Sequence, residues 1–179
     1  MIYFTADQHF WNQKQYPVGS RRFETVRERN EFLVRQWNAV VSPDDEVYLL
    51  GDISDGDGVR TTEILRQLNG SKYLVIGNHD RYLEDPGFQL TEYKWCRQYY
   101  ELLTMDTKFV LFHFPLEIWS GCRNERIHLH GHCHSRIAMQ KPIRRYEVGV
   151  DAHEGKPVSI EEIWKCVQGC SNREQFWWE

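Results

Sequence analysis

The sequence has no apolar run near the ~20 residues that a membrane span needs. The opening stretch, Met1-Ile2-Tyr3-Phe4-Thr5-Ala6, meets Asp7 too soon for a signal peptide and has no basic leader. The expectation is a soluble, cytoplasmic protein with no membrane partner. Its five cysteines (Cys96, Cys122, Cys133, Cys166 and Cys170) include no Cys-x-x-Cys pair, and their odd number argues against a disulfide framework or a zinc ribbon. They read as reduced thiols, Cys166 and Cys170 included, although those two are spaced to share a helix face. Charge of one sign is also missing. The formal net charge of −4 gives no whole-molecule field toward nucleic acid or an anionic membrane, so an anionic substrate would have to be attracted locally. Repeats, low-complexity tracts and linkers are absent, which points to a single domain over 1–179.

With 41% apolar and 27% charged residues, the chain has the composition of a globular domain with a sizeable core. Short apolar runs alternate with helical patterns, as in α/β architecture. Strands are predicted at Ile2–Ala6, Val47–Leu50, Tyr73–Ile76, Phe109–Phe112, Ile127–His130 and Glu147–Val150. A helix is predicted over Arg27–Val41, with Leu33, Trp37, Val40 and Val41 on one face and the arginines and glutamates off it. A second is predicted over Val59–Leu68. A third begins at the capping box Ser159-Ile160-Glu161-Glu162 and runs to about Val167. Gln8–Phe23 reads as a long loop. The apolar ending Phe176-Trp177-Trp178 either docks on the domain or covers an oligomer interface.

The chemistry lies at the ends of the strands. The first strand leads into Asp7-Gln8-His9, the second into Gly51-Asp52 and the third into Gly77-Asn78-His79-Asp80. Later strands lead into His113 and into Gly131-His132-Cys133-His134. In open α/β sheets, ligands bind at the carboxyl ends of strands. Asp7, His9, Asp52, Asn78, His113, His132 and His134 form a mixed oxygen and nitrogen set. Such a set suits manganese, iron, zinc, cobalt or nickel rather than calcium, and manganese is the expected metal. Seven ligands are too many for one tetrahedral zinc and about right for two ions sharing a carboxylate. Two divalent ions against two carboxylates leave a positive site, which attracts phosphate even in an acidic protein. Such a pair can hold a hydroxide and clamp an in-line displacement at phosphorus.

The ordered set Asp-x-His, Gly-Asp, Gly-Asn-His-Asp, a single His and Gly-His-x-His resembles the calcineurin-like metallophosphoesterase superfamily, above all its small, cap-less bacterial and viral members. Trp37-Asn38-Ala39-Val40-Val41 and Val150-Asp151 through Pro157-Val158-Ser159 share that likeness, which covers nearly the whole chain. The resemblance implies a two-sheet sandwich flanked by helices, with the site at one end of the sheets. It implies a first metal on Asp7, His9, Asp52 and His134, and a second on Asp52, Asn78, His113 and His132, with Asp52 bridging. It implies that His79 donates a proton to the leaving oxygen. Asp55, three residues after Asp52, matches an aspartate that orients this histidine in some relatives. Gln8 and Asn12 depart from the pattern: a smaller residue and a histidine are commoner there.

The expected activity is hydrolysis of a phosphate ester, a diester favoured over a monoester, on a small phosphorylated molecule, a nucleotide or a nucleic-acid end. Trp11, Tyr16 and Phe23 would either rim the cleft and stack a base or anchor their loop by burial. Arg81, Arg21 and Arg22 would reach a phosphate or stand solvated. His128 and His130 fall on the face of a strand and read as structural or supporting groups. The competing readings are a scaffold that has lost catalysis and a single-zinc module built on His132, Cys133 and His134. The scaffold would be expected to lack ligands that this chain keeps, and the module leaves Asp7, His9, Asp52 and Asn78 unexplained.

Overall fold

The structure, a computed structural model, describes residues 1–14, 18, 21–135 and 143–172. Among these residues nine strands form two mixed sheets, with three helices against them. In the first sheet β1 (Ile2–Thr5), β2 (Glu46–Leu49), β3 (Ser71–Val75) and β4 (Cys96–Arg97) run parallel, in the order β4-β3-β2-β1. Strand β9 (Val158–Ser159) closes the β1 edge antiparallel. The second sheet has the order β5-β6-β7-β8, where β5 (Tyr100–Thr104) and β6 (Thr107–Leu111) form a hairpin. Strands β6, β7 (Ile127–His130) and β8 (Arg145–Glu147) run parallel.

The period of two along each strand divides the apolar residues between two cores. Val47 and Leu49 face the helical layer, where α1 (Val26–Asn38) brings Leu33 and Trp37 and α2 (Gly58–Leu65) brings Ile64 and Leu65. Tyr48 and Leu50 face the second sheet and meet Phe4, Phe109, Leu111 and Leu129. Helix α3 (Ile160–Val167) adds Ile163 and Val167 to that second core, and its capping box at Ser159 and Glu162 is formed as the sequence predicts. The α1 N-cap is Thr25, whose side chain accepts from the Glu28 amide.

Two predicted features of α1 are corrected: it ends at Asn38 rather than Val41, and not all of its arginines lie off the buried face, since Arg29 is only 1% exposed. The predicted strand at Glu147–Val150 also ends earlier, at Glu147, with an isolated bridge from Gly149 to Ala6 tying it to the first sheet. The long loop after β1 is anchored by its aromatics. Trp11 donates from Nε1 to the Arg60 carbonyl at 3.3 Å, and Phe23 packs 5.3 Å from Phe32 between ring centroids. Arg21 lies over the Phe32 ring at 4.7 Å. Tyr16 and Phe176-Trp177-Trp178 lie outside the described residues. No helix among the described residues is long and apolar enough to cross a membrane.

Candidate metal centre

Strands β1, β2 and β3 of one sheet and β6 and β7 of the other deliver their C-terminal loops to one end of the sandwich. The loops interlock through backbone bonds. The Asp7, His9 and Phe10 amides donate to the Gly51, Asp52 and Ile53 carbonyls at 3.0, 3.0 and 2.9 Å. Gly131 donates to His113 O at 3.0 Å. Asp80 clasps two of the loops: its Oδ2 accepts from Gly77 and Asp52, at 2.7 and 3.1 Å, and its Oδ1 accepts from Ile53 at 2.8 Å. Burial raises the pKa of this carboxyl against the pull of those amides.

Crowding explains the glycines. Gly51 has φ +88°, and a Cβ there would stand 2.6 Å from both Gly77 Cα and His113 Nδ1. At Gly77 a Cβ would run into the Asp52 carboxylate. Backbone strain is concentrated here as well. Of the eleven non-glycine residues with positive φ among those described, five are predicted ligands: Asp7, His9, Asp52, His132 and His134. Such conformations cost ~1–3 kcal/mol each and persist where surrounding structure enforces them.

The side chains form two clusters. In Asp7, His9 and His134, and again in Asp52, His113 and His132, one potential ligand atom per residue lies within 4.8 Å of the others. Asp52 stands between them. Its Oδ2 is 3.6 Å from His9 Nε2 and 3.3 Å from His113 Nε2, while its Oδ1 accepts from the His79 amide at 2.8 Å. Asn78 places its Oδ1 3.0 Å from His113 Nε2. All seven predicted ligands therefore gather at one end of the sandwich, with Asn78 attached through His113.

The imidazoles are aimed by their other nitrogens. His113 Nδ1–H donates to the Leu50 carbonyl at 2.7 Å, His134 Nδ1–H to Asp151 Oδ2 at 2.6 Å and His9 Nδ1–H to Asp55 Oδ2 at 2.9 Å. These acceptors fix the tautomers, so each Nε2 carries the lone pair that a cation needs. Asp55 Oδ1 also accepts from His79 Nδ1 at 3.2 Å, and Asn12 Nδ2 donates to Asp55 Oδ2 at 2.6 Å. His9, Asp55 and His79 thus cluster tightly too, but through hydrogen bonds that brace the two rings.

Charge is balanced against burial. Asp7 is fully buried, and desolvation lifts its carboxyl to about 7 against the pull of His134 and His113. Burial also raises Asp52, but His113 and the His79 amide outweigh it, and its pKa falls below the ordinary value. For Asp55, burial is overcome by the bonds from His9 and Asn12, which bring it to about 2. Burial lowers His113, yet Asp52 carries it above the ordinary value. His132 is lowered by burial and by His113. Buried carboxylates and inward lone pairs, held on strained loops, form a donor set that fits divalent cations.

Three participants escaped the sequence reading. Asp151 comes after β8 as the other site residues come after their strands, so position could have flagged it. Asp80 stands inside the Gly-Asn-His-Asp run, but its amide contacts leave no sequence signal. Arg29 donates to the Gln8 and His9 carbonyls at 2.7 and 3.1 Å, pinning the first loop from α1, and burial lowers it to about 10. His128 and His130 lie beneath the site. His128 donates to the Val110 carbonyl and accepts from the Leu116 amide, and His130 donates to the Gly131 carbonyl. The zinc-module reading loses its geometry, because His132 and His134 belong to different clusters and Cys133 joins neither.

A family model described as calcineurin-like phosphoesterase matches residues 1–162. The chain is 31% identical over 174 residues to the MJ1445 protein of Methanocaldococcus jannaschii, described as uncharacterized, with 93% of this chain and 91% of that one covered. It is 27% identical over 203 residues to the gene 66 protein of Mycobacterium phage L5, covering 96% of each. The crystal structure of AQ665 from Aquifex aeolicus, a protein of unknown function, superposes with a TM-score of 0.69. That match covers 92% of this chain and 98% of the other at 24% identity, and shows a shared fold.

Proposed function

The chain belongs to the calcineurin-like phosphoesterase family, and from that premise we propose that it hydrolyses a phosphate ester, with phosphodiesters favoured, using two divalent ions. The observation that carries this reading is the position of Asp52 Oδ2 within 3.6 Å of ring nitrogens from both ligand clusters. Asp7, His9, Asp52 and His134 would hold one ion. Asp52, Asn78, His113 and His132 would hold the other, with manganese the first choice. When bound, such a pair supplies charge that fixes the phosphate and activates water.

The chain's own residues supply the rest. His79 stands half exposed at the rim with Nδ1–H committed to Asp55, which leaves Nε2 as the nitrogen to hold a proton for the leaving oxygen. Asp55 keeps that ring oriented. Asn78, His79 and His132 are exposed, so the rim admits a phosphate carrying groups on both sides. The substrate is a phosphorylated small molecule, a nucleotide or a nucleic-acid end. The five free thiols fit a reducing, cytoplasm-like compartment.

The test compares hydrolysis of bis(4-nitrophenyl) phosphate and 4-nitrophenyl phosphate with Mn²⁺ and with chelator, alongside metal analysis. Chelator-sensitive turnover, two ions per chain and a loss of ~10³-fold in His79→Ala at unchanged metal content are expected. A protein that takes up no metal pair and cleaves neither ester would leave the fold as a scaffold.

A further inference from the structure

Among the described residues, the only exposed Phe, Tyr or Trp side chains are Phe114, at 37%, and Tyr99, at 39%. Both lie in one run of rings leading away from the candidate site. Phe114 stands edge-on to His132, at 4.6 Å between centroids, and to His113, at 4.8 Å. Phe112 comes next, 5.7 Å from Phe114, and Tyr99 lies 6.5 Å beyond Phe112. Tyr99 keeps its hydroxyl on Glu101 Oε1 at 2.9 Å. This contrasts with the loop aromatics: Trp11 and Phe23 are partly buried against the helical core.

An open aromatic ring offers an apolar face on which a flat ligand group can lie. Here the run begins at a ring touching two predicted ligands, so a group lying on it is attached to the group that the ligands bind. Planar bases stack on such rings with little regard to sequence. We propose that Phe114, continued by Phe112 and Tyr99, is a stacking platform for the nucleobase of a nucleotide ester whose phosphate sits at the candidate metal centre. This rests on the phosphoesterase reading for the place of the phosphate and adds the identity of the group beside it.

The experiment is calorimetric binding of AMP and of ribose 5-phosphate to the Mn²⁺-loaded protein, in wild type, Phe114→Ala and Phe114→Trp. The two probes share the phosphate and ribose, so their affinity ratio isolates the base. Wild type should prefer AMP about tenfold, Phe114→Ala should bring the ratio to within about twofold of unity, and Phe114→Trp should keep the preference. Equal affinities in wild type, a preference that survives Phe114→Ala, or no binding of either probe would overturn the platform. Cleavage of bis(4-nitrophenyl) phosphate by the same preparations judges the phosphoesterase reading separately. Cleavage with a ratio of unity sinks the platform alone, and a tenfold ratio without cleavage sinks the hydrolase alone.

Discussion

Four histidines occupy alternate positions along one short stretch of chain, yet they fall into two environments. His128 and His130 lie in β7 and are buried, and desolvation drives their pKa values down to about 4 and about 3. His132 and His134 lie just past the strand, at φ 70° and 49°, one in each ligand cluster. The residue type is the same, and the backbone decides the difference. In the strand each ring meets carbonyls and amides and is held neutral. In the left-handed loop each ring is turned toward carboxylates. A histidine's suitability as a ligand is therefore set here by where the extended backbone stops.

The comparison can be broken most severely at its upper half. Replacing His134 with alanine should lower ester hydrolysis by ~10³-fold, about 4 kcal/mol of transition-state stabilisation, and reduce metal content. His128→Asn should leave the metal content of folded protein unchanged. Rates and metal analysis on both variants check this, and similar metal loss in the two would erase the distinction. Next comes Asp151, the brace of His134. Asp151→Ala should weaken binding of one ion ~10–100-fold and leave the other nearly unaffected, as resolved by titration calorimetry.

The lower half is tested by pH. His128 titrates at about 4 in the folded chain against 6.5 for the ordinary side chain. The unfolded state therefore binds more protons between those values, and stability falls as pH drops through that window. From pH 7 to pH 5 the loss from this residue is about 2 kcal/mol. Urea midpoints at the two pH values measure it, and His128→Asn should remove that part of the slope. His130 acts with the same sign.

Much of this is legible in the sequence because apolar runs and the polar groups after them are local signals. The pattern predicts Ile127–His130 to its ends, and the seven ligand positions are visible as strand-end polar residues. The fold's smaller parts are not. Strands β4 and β9 are two residues each, too short to show a period. The hairpin between β5 and β6 turns through Met105 and Asp106 at φ 52° and 56°, without the Asn-Gly or Asp-Gly pair that marks such turns. Arg29 looks like any exposed helical arginine, because its acceptors are carbonyls of a loop twenty residues earlier.

The contact between the His132 amide and the Asp7 carboxylate spans 125 positions of the chain. A ribosome adding ~5–20 residues per second needs roughly 6–25 s to cover that distance. Throughout that interval the first loop lacks the segment that encloses it, and no shorter nascent chain can assemble the complete donor set. All seven donors can come together only once His134 has been added, so the site is among the last features of the fold that the growing chain can complete.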